Sequence, residues 1–565
     1  MNSIVLALIS IIGFIVAYSL YAKFLRVKIL KLDPNEKTPS HELEDGVDYV
    51  PTNKYVLFGH HFTSIAGLAP IVGPALAVIW GWLPAFLWVF FGTIFIGAVH
   101  DFGALVVSLR HQGRSIGDLT EDIVGARARN LFLWVIFFLL LLVLAVFAIV
   151  IATLLVQYPE SVIPVVGLMF IAALVGFLMY RVKIGLTFAT LIGVILMFLL
   201  IWYGTMHPLS IGDKTILGSA NQTWIILLLI YAFIASILPV WVLLQPRDYI
   251  NSFKLFAGLA LMYIGLFIVR PDIVAPAYNT ADTGAPPLWP FLFITIACGA
   301  ISGFHNLVAS GTSAKQLNKA KDAQFIGYGA MLGEGLLSTM AIIATTAGFA
   351  TVALWNQHYA TWAGASGLGP KLGAFVDGAG GFVAAVGIPQ SFAIAFVAVV
   401  VIAFGMTTLD SATRIQRYII AEIAKNYKVK SIGNIYVASA IAVITAAIFA
   451  LPKYGGKPAG IILWPLFGTT NQMLAALGLL VLSLYLVQRK TTSIYTSIPM
   501  GFMLITIVVA MGYNIKNFIA DGNYLLTALG SILLILALWL SAETYLAYRK
   551  TIELHKAEEV ERVGA

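Results

Sequence analysis

Runs of about twenty apolar residues, each long enough to carry a helix across roughly 30 Å of hydrocarbon, recur along the whole chain. Its charges largely avoid these runs. Of the 565 residues 60% are hydrophobic and only 11% charged, against about a quarter charged in soluble domains. Such a chain satisfies its backbone in one practical way, as helices that bond internally within a membrane. The expected fold class is therefore an all-α integral membrane protein. Fifty glycines and 22 prolines add the expectation of broken or closely packed helices. Cys298 has no second cysteine to pair with, so an intrachain disulfide is excluded.

The first run, Asn2 to Leu25, has no basic start, is too long for a signal peptide and is followed by Lys23, Arg26, Lys28 and Lys31. It reads as a retained helix with its N-terminus outside. Continuing in this way predicts about fifteen transmembrane helices. Among them are spans at about 64–80, 224–245, 255–269, 288–311, 325–354 and 432–451. With the N-terminus outside and the C-terminus inside, most of the 34 Lys and Arg fall on the inner side. Only Lys214, Arg270, Lys371, Lys453, Lys457 and Lys516 fall outside, the asymmetry that orients membrane proteins. The net charge of +8 thus belongs to topology, and nucleic acid is not an expected partner. Trp80, Trp82, Trp202, Trp224, Trp289, Trp355 and Trp362 all lie near the predicted outer interface, as an aromatic belt does. Membrane lipid is the one surrounding partner this requires.

Two predicted spans carry helix breakers. The second contains Gly67, Pro70 and Gly73, and the seventh runs Pro239-Val-Trp241 through Gln245-Pro246. Proline removes a helix hydrogen bond and clashes with the preceding turn. The two breaks lie five helices apart, an odd number, so the units they open face opposite ways across the membrane. That is the geometry of a 5+5 inverted repeat, a LeuT-like core with broken helices, in which freed backbone groups bind substrate and ions. Substrate-binding candidates are Gly67, Pro70, Gly73, Trp241, Gln245 and Asn306. A third suspect span runs Gly299-Ala-Ile-Ser302-Gly303-Phe-His305-Asn306 and on to Ser310, Thr312 and Ser313. Its hydroxyl and carbonyl oxygens are candidates to complete a sodium-like site with the unwound second span, because hard cations take oxygen ligands. The alternative for all of these is close helix packing by small residues.

Ionisable side chains inside spans are functional candidates by default. Here they are His100, Asp101, His305, Glu334 and Asp410, assigned to ion or proton coupling. Glu334, between two glycines, is the expected proton carrier; Asp410 is also placed to cap an inner helix end. His60 and His61 are candidates for a divalent metal or for a proton relay with His100 and Asp101. The glycine-rich stretch 363–381 reads as an outer loop, either a lid or a connection. The chain divides into an N-terminal helix and inner loop (1–61), a transport core (62–411) and additional C-terminal helices (412–565).

Several strings resemble the carbon starvation protein A family. They are Asp45-Gly-Val-Asp-Tyr-Val-Pro51, Phe58-Gly-His-His-Phe62, Ser64 through Pro74, Val99-His-Asp-Phe102, Leu238 through Tyr249 and Ser302-Gly-Phe-His305. The resemblance implies a prokaryotic inner-membrane protein of the amino acid–polyamine–organocation transporter group. Its members are associated with peptide uptake in carbon starvation and relatives with pyruvate import by proton symport. The expected function is secondary active import of a small molecule, a peptide first and pyruvate as the alternative, coupled to H+ or Na+. There is no phosphate-cradling motif for ATP-driven transport and no His-Glu-x-x-His or Gly-x-Ser-x-Gly motif for an intramembrane enzyme. No enzymatic activity is expected, and the sequence leaves the oligomeric state open.

Overall fold

A computed structural model describes residues 1–212, 214–454 and 457–564. Apart from two short hairpins pairing 214–215 with 218–219 and 453–454 with 457–458, its regular structure is helical. The first half holds α1 (Ile4–Ile29), α2 (Lys54–Ile65), α3 (Ala69–Ala77), α4 (Trp82–Leu109) and α5 (Ala126–Gln157). It continues with α6 (Val162–Tyr180), α7 (Leu186–Met206), α8 (Ala220–Ile237) and α9 (Leu244–Val269). The second half holds α10 (Leu288–Thr295), α11 (Gly303–Val308), α12 (Gly329–Ala347), α13 (Leu368–Ala384) and α14 (Gln390–Asn426). It ends with α15 (Ile435–Ala450), α16 (Ala459–Gln488), α17 (Ile494–Ala520) and α18 (Tyr524–Gly564).

Among the described residues twelve helices are long and apolar enough to cross a membrane, thirteen if the bent pair α2–α3 is one span. The chain is therefore a multi-pass membrane protein. The remaining two expected spans fall on α10–α11, which is interrupted, and on α15, which is short. Position in the bundle follows composition. α5 and α14 are long, mostly buried and pack on each other at the centre, with the charges of α14 confined to its C-terminal half. α1, α7 and α18 expose Leu, Ile and Phe toward the outside of the bundle. That surface suits a hydrocarbon solvent.

The helix starts are marked locally. Asn53 accepts from the Tyr55 amide ahead of α2, Ser219 forms a capping box with Gln222 ahead of α8, and Asn434 caps α15. α2 ends at Ile65, α3 begins at Ala69, and the two axes are bent by 44°. The Pro70 ring occupies the first turn of α3, where the missing N–H costs nothing.

Two expectations are corrected here. The seventh span is not a broken helix: α8 stops at Ile237 and α9 starts at Leu244. Pro239 and its neighbours form the turn between two separate helices. A second interruption lies instead at 296–302, between α10 and α11. Second, the glycine-rich stretch is mostly helical, with a short helix at Trp362–Ala365 followed by α13. Its glycines serve close packing. A Cβ on Gly348 would lie 2.6 Å from the Gly378 Cα, so α12 and α13 cross backbone to backbone.

The packing has an internal correspondence. α2 lies on α9 as α11 lies on α16; α5 lies on α8 as α14 lies on α15; α9 lies on α14 as α16 lies on α5.

Candidate functional site

The two breaks touch. A Cβ built on Gly73 would sit 3.2 Å from the Ile296 Cα, and one on Gly299 would sit 3.5 Å from the Pro70 Cα. Gly299 has φ +99°, a conformation open to glycine and strained for other residues. Side chains of neighbouring spans hold the freed carbonyls: Ser338 donates to Pro70 (3.0 Å) and Thr93 donates to Gly299 (2.8 Å). Between the breaks lies a cavity of ≈ 10 Å³ lined by Ile65, Gly67, Pro70, Phe147, Cys298 and Thr408, among others. That is room for about one water. Gly67 faces Thr408 and Phe147, and a side chain there would fill the space.

Beside the cavity runs a line of buried ionisable groups. His305, on α11, directs Nδ1 at Asp101 Oδ2 (3.0 Å) and Nε2 at Glu334 Oε2 (3.2 Å). Asp101 also takes His100 Nδ1 at 2.8 Å. These contacts join α4, α11 and α12, and none of the four side chains is more than 1% exposed. His305 thus stands between two carboxylates, bonded to Asp101 through Nδ1 and facing Glu334 with an Nε2 that has no hydrogen-bond partner. Cys298, His305 and Glu334 also bring one ligand atom each within 4.8 Å of one another. They have the donor set for a divalent ion.

A second group lies toward the basic end of the molecule. His60 Nδ1 meets Asp248 Oδ2 at 2.7 Å, and Arg247 meets Asp248 Oδ1 at 2.7 Å. Arg247 also pairs with Asp410, which accepts from the Tyr231 hydroxyl at 2.6 Å. Gln316 donates to Thr312, whose oxygen lies 2.8 Å from His60 Nε2. His60 thus bridges Asp248 through Nδ1 and Thr312 through Nε2. His60, Arg247, Asp248, Thr312, Gln316 and Asp410 are buried, and Tyr231 is partly so, leaving one guanidinium between two carboxylates.

Several expected site residues are brought together and others are not. Gly67, Pro70 and Gly73 line or adjoin the breaks. Asn306 lies one turn along α11, its amide and the Nε2 of His100 both beside Gly478. Trp241 and Gln245 are elsewhere. Trp241 stacks under Arg181, with 5.7 Å from guanidinium to ring centroid, and Gln245 donates to Thr52 (3.0 Å) and Gln316 (2.7 Å). They follow the turn between α8 and α9, which is why they miss the cavity. The hydroxyls proposed for sodium are engaged otherwise. Ser310 donates to the Asn306 carbonyl (2.7 Å), Thr312 bonds His60, and Ser313 bonds His61 Nδ1 (2.8 Å). His60 and His61 do not share a metal-holding group: among the described residues that geometry belongs to Cys298, His305 and Glu334. Asp410 caps nothing and instead anchors Arg247.

Arg247, Asp248 and Cys298 were not singled out by the sequence reading. Placing a span at 255–269 left Arg247 and Asp248 in a loop. A 26-residue α9 beginning at Leu244 would have made them intramembrane charges.

The family described as "Carbon starvation protein CstA" matches residues 2–365 and 357–510. The chain is 35% identical over 554 residues to a Bacillus subtilis (strain 168) protein named peptide transporter CstA, covering 92% of this chain and 91% of that one. It is 33% identical over 592 residues to the Escherichia coli (strain K12) protein named pyruvate/proton symporter BtsT, covering 90% and 81%. Among solved structures, a complex of the Eremococcus coleocola manganese transporter superposes with TM-score 0.49 at 12% identity, over 90% of this chain and 99% of that one. A likeness that loose carries no further argument. With the family model matching residues 2–365 and 357–510 and the similarity running over nearly the whole length, the chain belongs to the carbon starvation protein CstA family.

Proposed function

We propose that this protein is a secondary active transporter importing a small nutrient, a peptide in the first place, across a prokaryotic inner membrane by alternating access. The observation that carries the reading is the meeting of two interrupted helices around a closed cavity beside buried, paired titratable groups. Interrupted spans supply unpaired backbone groups at mid-depth and let half-helices tilt independently. Substrate enters where Gly67, Pro70, Gly73 and Asn306 adjoin the breaks, and the cavity is closed around little more than a water in this state. Trp241 and Gln245 then act at the basic end and not on substrate.

The correspondence of helix pairs supports a 5+5 inverted repeat with shifted membership. One unit is α2–α3, α4, α5, α8 and α9; the other is α10–α11, α12, α14, α15 and α16. On this reading the core runs from 54 to 488, with α6, α7 and α13 inserted and α1, α17 and α18 flanking. The basic end, carrying Arg110, Arg114, Lys315 and Arg414, faces inside.

Coupling runs through His100, Asp101, His305 and Glu334. A proton shared along Asp101–His305–Glu334 accounts for all their contacts without a metal. The second substrate reading is a small carboxylate such as pyruvate. It is favoured by the similarity to the pyruvate/proton symporter and by the cavity's small size, with the N-terminus of α3 available to a carboxylate.

The test is uptake by purified protein in liposomes, offering labelled pyruvate and labelled dialanine in parallel under an imposed proton or sodium gradient. Gradient-driven accumulation of either is the expected result and names the substrate class. Binding or cleavage of the peptide without accumulation of either compound would overturn the reading.

A further inference from the structure

The proton shared along Asp101–His305–Glu334 accounts for the contacts these groups make, and leaves aside the atoms that make none. His305 Nε2 and both carboxylate oxygens of Glu334 are buried without a hydrogen-bond partner. Polar atoms left in that way inside a bundle are costly. Nor does the proton use Cys298, a buried residue whose sulfur lies within 4.8 Å of ligand atoms on both His305 and Glu334.

The three residues meet because the helix is interrupted. In an unbroken helix Cys298 and His305 would stand about 10 Å apart along the axis. The interruption at 296–302 removes that separation. Asn471 of α16 secures the segment. Its Oδ1 accepts from the Phe304 amide (3.0 Å), and its Nδ2 donates to Ser302 (3.0 Å) and to the Cys298 sulfur (3.4 Å). The His305 ring is set as metal-binding imidazoles are, with one nitrogen bonded to a carboxylate and the other free. Nδ1 lies 3.0 Å from Asp101, which also bonds His100 at 2.8 Å. Nε2 faces Glu334 Oε2 at 3.2 Å, close to the edge of about 3.3 Å in a tetrahedron built on metal bonds of about 2 Å. All three ligand atoms lie within 4.8 Å of one another, so drawing them onto one ion asks for shifts of about 1 Å.

The cavity of ≈ 10 Å³ that Cys298 lines has room for a water, the common fourth ligand where a protein supplies three. Charge balances as well. A metal-bound thiol gives up its proton, so the thiolate and the Glu334 carboxylate neutralise a divalent ion. A thiolate, an imidazole and one carboxylate together select a borderline-soft ion, whereas Mg2+ and Ca2+ call for oxygen alone. We propose that Cys298, His305 and Glu334 bind Zn2+ in place of the shared proton, with Asp101 as the carboxylate that orients His305. Ion and proton claim the same gap between His305 Nε2 and Glu334, so each excludes the other. The bound ion grips the second break on one side through Cys298 and on the other through His305, and ties both to α12. The half-helices it joins then cannot tilt apart.

This site goes beyond the transport reading and does not rest on it, because binding is measured on the protein alone. The test uses the full chain purified in detergent without a polyhistidine tag, stripped with a chelator and dialysed. Equilibrium dialysis against labelled Zn2+ is expected to leave a single tightly held ion per chain, which a ~tenfold excess of Mn2+ does not displace. With Co2+ as the spectroscopic probe, the expected spectrum carries a sulfur-to-metal charge-transfer band that Zn2+ bleaches. Cys298 is the only cysteine of the chain, so that band has no other source. Cys298→Ser is expected to lose the band. Glu334→Gln, and Asp101→Asn through the orientation of His305, are expected to weaken Zn2+ binding ~tenfold or more. Wild type that retains no Zn2+ overturns the proposal. So does wild type that binds Co2+ without the charge-transfer band, since the ion then sits on other histidines or carboxylates. Both outcomes are read on wild type and need no variant to fold. Unchanged Zn2+ affinity in monodisperse Glu334→Gln overturns it too. Each of these leaves the transport reading standing, and the uptake assay decides that separately.

Discussion

His305 and Glu334 reach each other across α11 and α12, with Asp101 of α4 on the far side of the imidazole. Charged side chains inside apolar runs stand out in a sequence because each would be costly without a partner. That is how His100, Asp101, His305 and Glu334 were legible. Which of them pair is a different matter, since Asp101 and His305 are 204 residues apart. Glu334→Gln keeps the shape and removes the charge facing His305. Proton-driven accumulation is expected to fall ~tenfold or more while exchange persists. Unchanged accumulation in the liposome assay would remove Glu334 from coupling. Arg247 and Asp248 were missed for a local reason. They lie in the first turn of α9, behind Pro246 and ahead of Asn251 and Ser252, where polarity imitates a loop.

At the scale of elements, the break in α2–α3 was legible because its cause is local: Gly67 and Pro70 weaken the helix where it bends. The second break, at 296–302, holds Gly299, Ser302 and Gly303 but no proline. Pro239, which looks like a stronger breaker, ends a helix instead. Composition marks where a helix can stop. Whether the chain then turns back or continues depends on what packs around it. The same ambiguity made α13 look like a loop. Gly265 of α9 abuts the Phe382 backbone, and Gly378 abuts Ala344, so glycine there admits helices at close range. Gly378→Leu should therefore destabilise the protein by about 1–3 kcal/mol, seen as a lower melting temperature in detergent. An unchanged melting temperature would show that this crossing tolerates bulk and that the glycines serve mobility.

At the scale of the whole molecule, the segment leading into α2 is tied down at the basic end. Asp45 caps its own turn, accepting from the amides of Val47, Asp48 and Tyr49. Asp48 accepts from Tyr418 (2.5 Å) and pairs with Arg414 (3.2 Å) and Arg417 (3.7 Å) of α14. Lys315 lies over the ring of Tyr418 at 4.3 Å, bringing in the end of the second broken segment. Burial, the largest single influence, pushes the Asp48 carboxyl up, but Arg414, Lys315, the Tyr418 hydroxyl and Arg417 together bring it below the usual carboxylate range. A carboxyl depressed in the folded state contributes stability above its unfolded value, near 4, and loses it as pH falls through the folded value. The latch is thus intact at neutral pH. Asp48→Asn is expected to speed hydrogen exchange through 45–60 at pH 7, whereas wild type loosens there only below about pH 4. Equal protection in both proteins at pH 7 would show that the loop is held by other contacts.

The sequence by itself determined the class of the molecule, the approximate number and place of its membrane helices, one of its two breaks and most of its buried acids and histidines. These are read from run length, charge exclusion and backbone chemistry, each of which acts within a few turns of helix. Only the tertiary structure decided that a second break lies at 296–302 before His305 and that His60 lies against Asp248. Those outcomes rest on partners 188 residues apart for His60 and Asp248 and on which helix faces meet. Pattern along a chain sets what each face carries, and only packing sets what that face meets.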